Sequence, residues 1–145
     1  MSFMQAITSG FKRYVDFQGR SSRSEYWYWV LFSAIAGFVI GFIFGFIQGL
    51  IAGLAGGPNA ASTLVSAISP LVSLALFLPS LAVAIRRLHD TNRSGWWYLL
   101  VFTIIGIIPL LIWFCTRGTI GENRFGPDPL GMDKPDARPE GAWAT

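Results

Sequence analysis

Most of the polar side chains that could perform chemistry in this 145-residue chain lie in three short motifs. The first reads FQGRSSRSEYW at positions 17–27, the second RRLHDTNRSGWW at 86–97, and the third GENRFGPDP at 121–129. Guanidinium groups match the geometry of phosphate oxygens, and tryptophans favour membrane interfaces. One prediction is therefore a site for an anionic lipid head group or a phosphorylated ligand, formed by Arg20, Arg23, Arg86, Arg87 and Arg93.

The alternative is a structural and topological role for the same arginines. Positive charge retains a segment in the cytoplasm, the arginines can pair with Glu25 and Asp90, and interfacial tryptophans form a belt. We prefer this structural interpretation. The argument for binding is that retention alone needs only charge, whereas the second motif adds a histidine and an aspartate in fixed order. The other polar candidates of the motifs are Glu25, His89, Asp90, Asn123, Arg124 and Asp128.

Catalysis has one candidate, His89, which is the only histidine and could carry a proton near neutral pH. A lone histidine is more commonly structural, pairing with a carbonyl or an aromatic ring. The sequence contains no phosphate-cradling glycine motif, nucleophile elbow or zinc-protease motif. One histidine and one cysteine, Cys115, do not make a metal site. We therefore expect no catalytic residue, no metal and no cofactor.

The composition predicts a membrane protein. Apolar residues make up 52% of the chain and charged residues only 13%, with a mean hydropathy of +0.49. This argues against a free soluble enzyme. The net charge of +3 is small and scattered, so a nucleic-acid partner is not expected.

Three charge-free segments organise the chain, at about 26–54, 62–85 and 96–115. Each is as long as the roughly 17 to 25 residues that a helix needs to cross a bilayer. The first is too long for a signal-peptide core, which has about 7 to 15 apolar residues. The predicted fold class is all-α, a small integral membrane bundle of about three transmembrane helices within residues 26–130.

The two ends of the chain differ from this transmembrane domain. Residues 1–25 carry the first basic motif, and their apolar side chains predict an amphipathic helix lying in the membrane interface. Its apolar face consists of Phe3, Met4, Ile7, Phe11, Tyr14 and Val15. Residues 131–145 are rich in proline, glycine and charge, which predicts a disordered tail.

The distribution of basic residues predicts the orientation. Seven lie before the first span or between the second and third, and only Arg117 and Arg124 lie close behind the third. Three crossings then predict a cytoplasmic N-terminus and an external tail. If the third segment instead bends back at Pro109, all eleven basic residues become cytoplasmic and the third motif joins the first two.

Glycines recur at every fourth position of the first span. They lie on one ridge of the helix and permit close approach of a second helix. We expect this glycine ladder to pack against the second span, with self-association or another membrane protein as alternatives. Its members are Gly37, Gly41, Gly45, Gly49 and Gly53.

Together the three motifs resemble the bacterial inner-membrane family catalogued as domain of unknown function 805, over about 11–130. The RRLHD run followed by paired tryptophans and the NRFGPDP run carry the resemblance. It implies a small multi-span protein of the inner (plasma) membrane and no particular reaction.

The leading functional hypothesis is a non-enzymatic helix-packing or membrane-interaction protein. Its expected partners are membrane lipids and a second copy or another membrane protein. The alternative is binding or transport of an anionic lipid or small solute through the interfacial arginines and tryptophans.

Overall fold

The computed structural model describes residues 1–57 and 60–131. Its elements in chain order are α1 (Phe3–Lys12), α2 (Arg23–Leu54), α3 (Ala60–Asp90), a 3₁₀ helix η1 (Gly95–Phe102) and α4 (Ile107–Cys115). The all-α expectation is therefore confirmed for this part of the chain. The disorder predicted for the tail concerns residues that, apart from Gly131, lie outside the described ones.

Two of these helices, α2 and α3, are long and apolar enough to cross a membrane. The Ser22 side chain caps α2 by accepting the amide of Glu25 at 3.3 Å, which places a carboxylate in the positive first turn. The helix thus begins in the first polar motif. Similarly, α3 continues to Asp90, so that Arg86, Arg87, His89 and Asp90 lie on its last turns and not in a loop.

The third charge-free segment does not form a helix long enough to span a membrane. After η1 the chain reverses at 103–106 and returns as α4, so the expectation of three crossings is wrong. The turn is stabilised by Thr103, whose hydroxyl donates to the Leu100 carbonyl at 2.9 Å and accepts the Gly106 amide at 3.1 Å. A Cβ atom at Gly106 would lie 2.5 Å from that carbonyl oxygen, so the turn requires glycine. Pro109 lies in the first turn of α4, where its missing N–H is tolerated.

Two prolines lie inside α3 without breaking it. Pro70 and Pro79 lack the amide that would bond the carbonyl four residues earlier. Ser69 donates its hydroxyl to the freed Ser66 carbonyl at 3.4 Å, and the Tyr14 hydroxyl donates to the freed Ala75 carbonyl. The second of these bonds also attaches the segment after α1 to α3.

The N-terminal amphipathic helix forms, and it packs against α2. Ser2 and Gln5 make a reciprocal capping box at its start. Gly10 contacts the indole of Trp29 so closely that a Cβ atom there would lie 2.1 Å from a ring carbon. Phe11 packs edge-on against the same indole, with ring centroids 5.3 Å apart. The helix is therefore docked on the bundle, while Met4 stays 68% exposed.

The buried apolar side chains of the described residues all lie at one end of the α2–α3 pair. We call this end the head; it comprises residues 1–33, with α1 and the start of α2, and residues 79–131, with the end of α3, η1, α4 and the segment after α4. Its buried apolar residues are Ala6, Trp29, Ala82, Val83, Ala84, Leu88, Leu110 and Phe114.

The bond between Tyr14 and Ala75 gives a first prediction. Tyr14→Phe leaves the Ala75 carbonyl without its donor in apolar surroundings, so we expect a loss of about 1 to 3 kcal/mol of stability. The measurement is thermal unfolding of the purified protein in detergent. Tyr28→Phe is the matched control, because Tyr28 is 37% exposed and packs its ring on Phe3. Equal unfolding temperatures for the two variants would contradict the prediction.

Candidate functional site

The head encloses a cluster of buried charges, which we call the polar core. Three guanidinium groups are balanced there by three carboxylates, and none of these residues is more than 8% exposed. Such burial is tolerated only when each charge is paired and hydrogen-bonded. The members are Arg20, Arg86, Arg87, Glu25, Asp90 and Asp128.

Asp90 lies at the centre of this core. Its Oδ1 accepts Nε of Arg20 at 3.0 Å, and its Oδ2 accepts Nη1 of Arg87. The segment after α4 passes so close that a Cβ atom at Gly118 would lie 2.0 Å from Oδ2. The next residue donates its amide to the Asp90 carbonyl at 2.8 Å. One carboxylate therefore joins two arginines and fixes the returning chain.

Arg87 holds the end of α4. Its Nε donates to the Phe114 carbonyl at 3.3 Å, and its Nη2 donates to the carbonyls of Trp113, at 3.3 Å, and Thr116. The last carbonyls of a helix have no intrahelical partner and carry partial negative charge. The Arg87 guanidinium supplies hydrogen-bond donors to these carbonyls and a positive charge beside their partial negative charge.

Arg86 binds main-chain carbonyls just after the end of α1. Its Nη1 donates to the carbonyls of Arg13 at 3.1 Å and Asp16 at 2.6 Å. Its Nη2 lies 3.6 Å from Oε1 of Glu25, which also accepts the Ser9 hydroxyl at 2.7 Å. The pairing of the second motif with Glu25 and Asp90, weighed as the structural alternative, is confirmed for Arg86 and Arg87.

Arg20 brings the third motif into the same core. Its Nη1 donates to the carbonyls of Gly121 at 2.6 Å and Gly126 at 3.2 Å, and its Nη2 donates to that of Thr119. Asn123 donates its side-chain amide to the His89 carbonyl at 3.0 Å. The three-crossing model separated the third motif from the others; because the chain returns through α4, all three motifs meet.

Two further residues of the third motif make hydrogen bonds to the main chain of the head. Arg124 donates to the Asn92 carbonyl at 3.1 Å. Asp128 accepts the amides of Gly121 at 3.3 Å and Leu130 at 2.9 Å, as expected for an ordered turn.

His89 makes two contacts within the head. Its Nδ1 lies 3.2 Å from the Gly19 carbonyl oxygen. Its ring stacks on that of Phe125, with centroids 3.9 Å apart and an interplanar angle of 2°. These are the carbonyl and the aromatic ring that the structural alternative named.

The five arginines predicted to bind a head group do not form one exposed patch. Arg20, Arg86 and Arg87 are buried and donate to internal oxygens. Arg23 is exposed and donates to the Cys115 carbonyl at 3.4 Å. The guanidinium of Arg93 lies 4.1 Å from the ring centroid of Trp113.

The glycine ladder lies away from the head and is open. A Cβ atom added at any of its five glycines would meet nothing within 4 Å among the described residues. The expected close packing against the second span is therefore wrong for this ridge. Its first three glycines line a groove of about 540 Å³ between α2 and α3, with Ser69 and Ser73 on the opposite wall.

Polar bridges hold α2 and α3 together at the two ends of this groove. At the head end, Trp29 donates its indole N–H to the Ser80 hydroxyl at 3.0 Å. At the far end, Gln48 donates to the Ser66 hydroxyl at 2.6 Å. The groove is thus a bounded feature of the helix pair.

Sequence reasoning missed three residues that shape the head. Nothing in the sequence pattern singled out Ser9 or Gly118, and the periodicity placed Tyr14 only on the apolar face of the N-terminal helix. The position of Pro79 in an apolar helix did signal that the Ala75 carbonyl needs a donor. Nothing local in the sequence indicated which side chain supplies it.

Comparisons with known proteins agree with the motif analysis. A family model described as a protein of unknown function (DUF805) matches residues 14–127. Inner membrane protein YhaI of Escherichia coli (strain K12) is 49% identical over 131 residues, which cover 87% of this chain and 96% of that protein. Inner membrane protein YhaH of the same strain is 41% identical over 119 residues, covering 81% and 90%. No solved structure matches the chain.

The central position of Asp90 gives a second prediction. Asp90→Asn leaves two buried guanidiniums without their carboxylate, so we expect a loss of about 3 to 5 kcal/mol, enough to prevent stable folding. Limited proteolysis and thermal unfolding in detergent measure it.

Asp16→Asn is the control for this prediction. The Arg13 guanidinium and the Gln18 amide lower the pKa of Asp16, whose side chain is 42% exposed. Because solvent screens this pair, we expect a cost of less than about 1 kcal/mol. A folded Asp90→Asn variant as stable as Asp16→Asn would show that the polar core does not hold the head together.

Proposed function

This chain belongs to the DUF805 family of inner-membrane proteins, and we propose that it is a non-enzymatic protein that packs with a second copy of itself. The contact surface is the glycine ladder of α2 with the adjoining groove. The head stabilises each copy and carries the basic residues.

The open ridge is the observation that carries this proposal. Glycines at intervals of four remove side-chain bulk from one face and let helix backbones approach closely. Within the described part of one chain that approach is not used, since no atom of another helix lies within 4 Å of the five Cβ positions. A second copy can offer the same ridge, and a two-fold symmetric contact of identical faces is the commonest form of association.

Polar groups along the groove support a protein occupant over lipid. Gln48 and Ser73 are exposed on the two candidate spans, where Gln48 donates to Ser66 and Ser73 donates to Ser69, and both side chains keep further hydrogen-bonding capacity. An acyl chain offers no hydrogen bond to an amide or hydroxyl, whereas another helix does. Beside the ridge, Phe38, Phe42 and Phe46 stack along α2 with successive centroids 6.5 and 6.4 Å apart. They can flank the partner or face lipid.

The contacts of His89 support the non-enzymatic part of the proposal. Its ring and Nδ1 are engaged with Phe125 and Gly19, and the neighbouring Asp90 is engaged by two arginines. His89 is half-buried and lines a cavity of about 370 Å³, but the Asp90 carboxylate next to it in sequence is buried and out of reach of a substrate proton. The proposal therefore assigns both residues to the architecture of the head.

The charge distribution supports a cytoplasmic head. Every lysine and arginine in the described part of the chain lies in the head, and neither the remainder of α2 nor that of α3 carries one. Basic residues beside membrane spans favour the cytoplasmic side. With two crossings, the N-terminus and the segment after α4 share that side.

A second candidate function is recognition of an anionic lipid head group at Arg23. A cavity of about 500 Å³ beside it is lined by Ser22, Ser24, Trp27, Cys115 and Leu130. Arg23 is exposed at the start of α2, where the helix dipole also favours an anion. Of the arginines predicted for this role, it is the one whose position best supports it.

The packing proposal predicts that Gly41→Leu combined with Gly45→Leu abolishes the crosslinked dimer in native membranes. Added side chains on the ridge prevent close approach, yet each isolated chain has room for a Cβ there. Phe42→Leu is the control and leaves the dimer intact, because this residue lies beside the ridge. Unchanged crosslinking of the double variant would overturn self-association through the ladder, and crosslinks only to a different protein would identify a hetero-complex.

The second candidate predicts that Arg23→Ala reduces the amount of anionic phospholipid that copurifies with the protein after gentle extraction. Removing the guanidinium removes the charge-assisted bonds to phosphate. Lys12→Ala is the control, since Lys12 is an exposed cation on α1. Equal phospholipid recovery from both variants would contradict a head-group site at Arg23.

A further inference from the structure

We infer that the η1–α4 hairpin inserts into the hydrocarbon of one leaflet, the one beside the head, and turns back without crossing. The occupant of its exposed surface is lipid acyl chain. This inference is independent of the proposed self-association.

The surface of the hairpin is the first argument. Residues 95–115 contain no charge. The tip exposes Phe102 at 83%, Ile104 at 89% and Ile105 at 82%. Ile108 and Ile112 on α4 continue this surface with 62% and 56% exposure. An apolar surface of this kind is not left in water.

Length is the second argument. The eight residues of η1 span about 16 Å at roughly 2 Å per residue, and the nine of α4 about 14 Å. Half of a hydrocarbon core of about 30 Å is about 15 Å. The hairpin therefore matches the depth of one leaflet, and neither arm alone can reach the other side.

The third argument is that the tip bonds much of its own backbone. Unbonded polar groups are costly at membrane depth. Thr103 bonds Leu100 and Gly106 through both its hydroxyl and its main chain, with the Thr103 amide 3.0 Å from the Leu100 oxygen and the Gly106 amide 3.1 Å from the Thr103 oxygen. The Gly106 carbonyl in turn accepts the amide of Leu110 at 3.4 Å. These bonds lower the free-energy cost of placing the turn in lipid.

Contacts at the two ends of the hairpin fix its depth relative to the membrane surface. Ser94 caps the start of η1, and Arg93 beside it lies over Trp113 of α4. Arg87 binds the carbonyls at the end of α4. Trp96 and Trp97, 79% and 49% exposed, lie at the entrance, where tryptophans favour the interface. The chain therefore enters and leaves the bilayer at the level of the polar core.

Cysteine accessibility tests this placement in the full-length chain. In a Cys115→Ala background, Ile104→Cys places a thiol at the tip and Ile120→Cys places one in the segment after α4. A membrane-impermeant maleimide is applied to right-side-out and to inverted membrane vesicles. We expect Ile120→Cys to be labelled only from the side of the N-terminus. Ile104→Cys should be labelled from neither side, and only after detergent is added.

A spin label on Ile104→Cys separates lipid contact from protein contact. In acyl chains its relaxation is enhanced by oxygen and not by a water-soluble nickel chelate. Labelling of Ile104→Cys from the side opposite the N-terminus would restore a crossing and overturn the inference. Strong relaxation by the nickel chelate would place the tip in water, and protection from both reagents would place it against protein. Either result would also overturn it.

Discussion

Burial of Asp90 between Arg20 and Arg87 is the interaction on which the head depends. A guanidinium removed from water needs more acceptors than one carboxylate can supply. The remaining acceptors are main-chain carbonyls, and the most available ones lie at helix ends and in turns. Arg87 takes those at the end of α4, Arg86 those at the end of α1, and Arg20 those of the returning segment. The positions where these elements end are thus set by the hydrogen-bonding needs of three arginines.

The two halves of the bundle are consequently built differently. In the head, five elements pack around the polar core and bury every apolar core residue of the described chain. Beyond it only α2 and α3 continue, bridged near the head by Trp29 and Ser80 and at the far end by Gln48 and Ser66. Between these bridges the glycine ridge lies open. Folding stability therefore resides in one half, and a face free for association in the other, so changes in the ladder need not disturb the head.

The sequence supported some of these conclusions and not others, for physical reasons. The first two spans follow from length and hydropathy, and pairing of the motif arginines with Glu25 and Asp90 follows from charge. Whether the third segment spans the membrane could not be predicted, because twenty uncharged residues are long enough both for one spanning helix and for a folded hairpin. Two features outside the length pattern decide it: Thr103 and Gly106 form a hydrogen-bonded turn, and Arg87 binds the carbonyls at the end of α4. Similarly, the spacing of the glycines predicts that their ridge is a packing surface, but it does not specify which helix packs there.

The fixed order of the second motif had favoured ligand binding, because retention in the cytoplasm needs charge alone. Helical geometry supplies another reason for that order. Consecutive residues on a helix point about 100° apart, so Arg86 and Arg87 reach different neighbours, α1 on one side and α4 on the other. Asp90 follows Arg87 at the i, i+3 spacing that lets them pair, and His89 meets Phe125 of the third motif. A phosphate reaching these arginines would have to displace several internal acceptors, each of which would then be buried without a donor. The order of the motif is therefore explained by closure of the head.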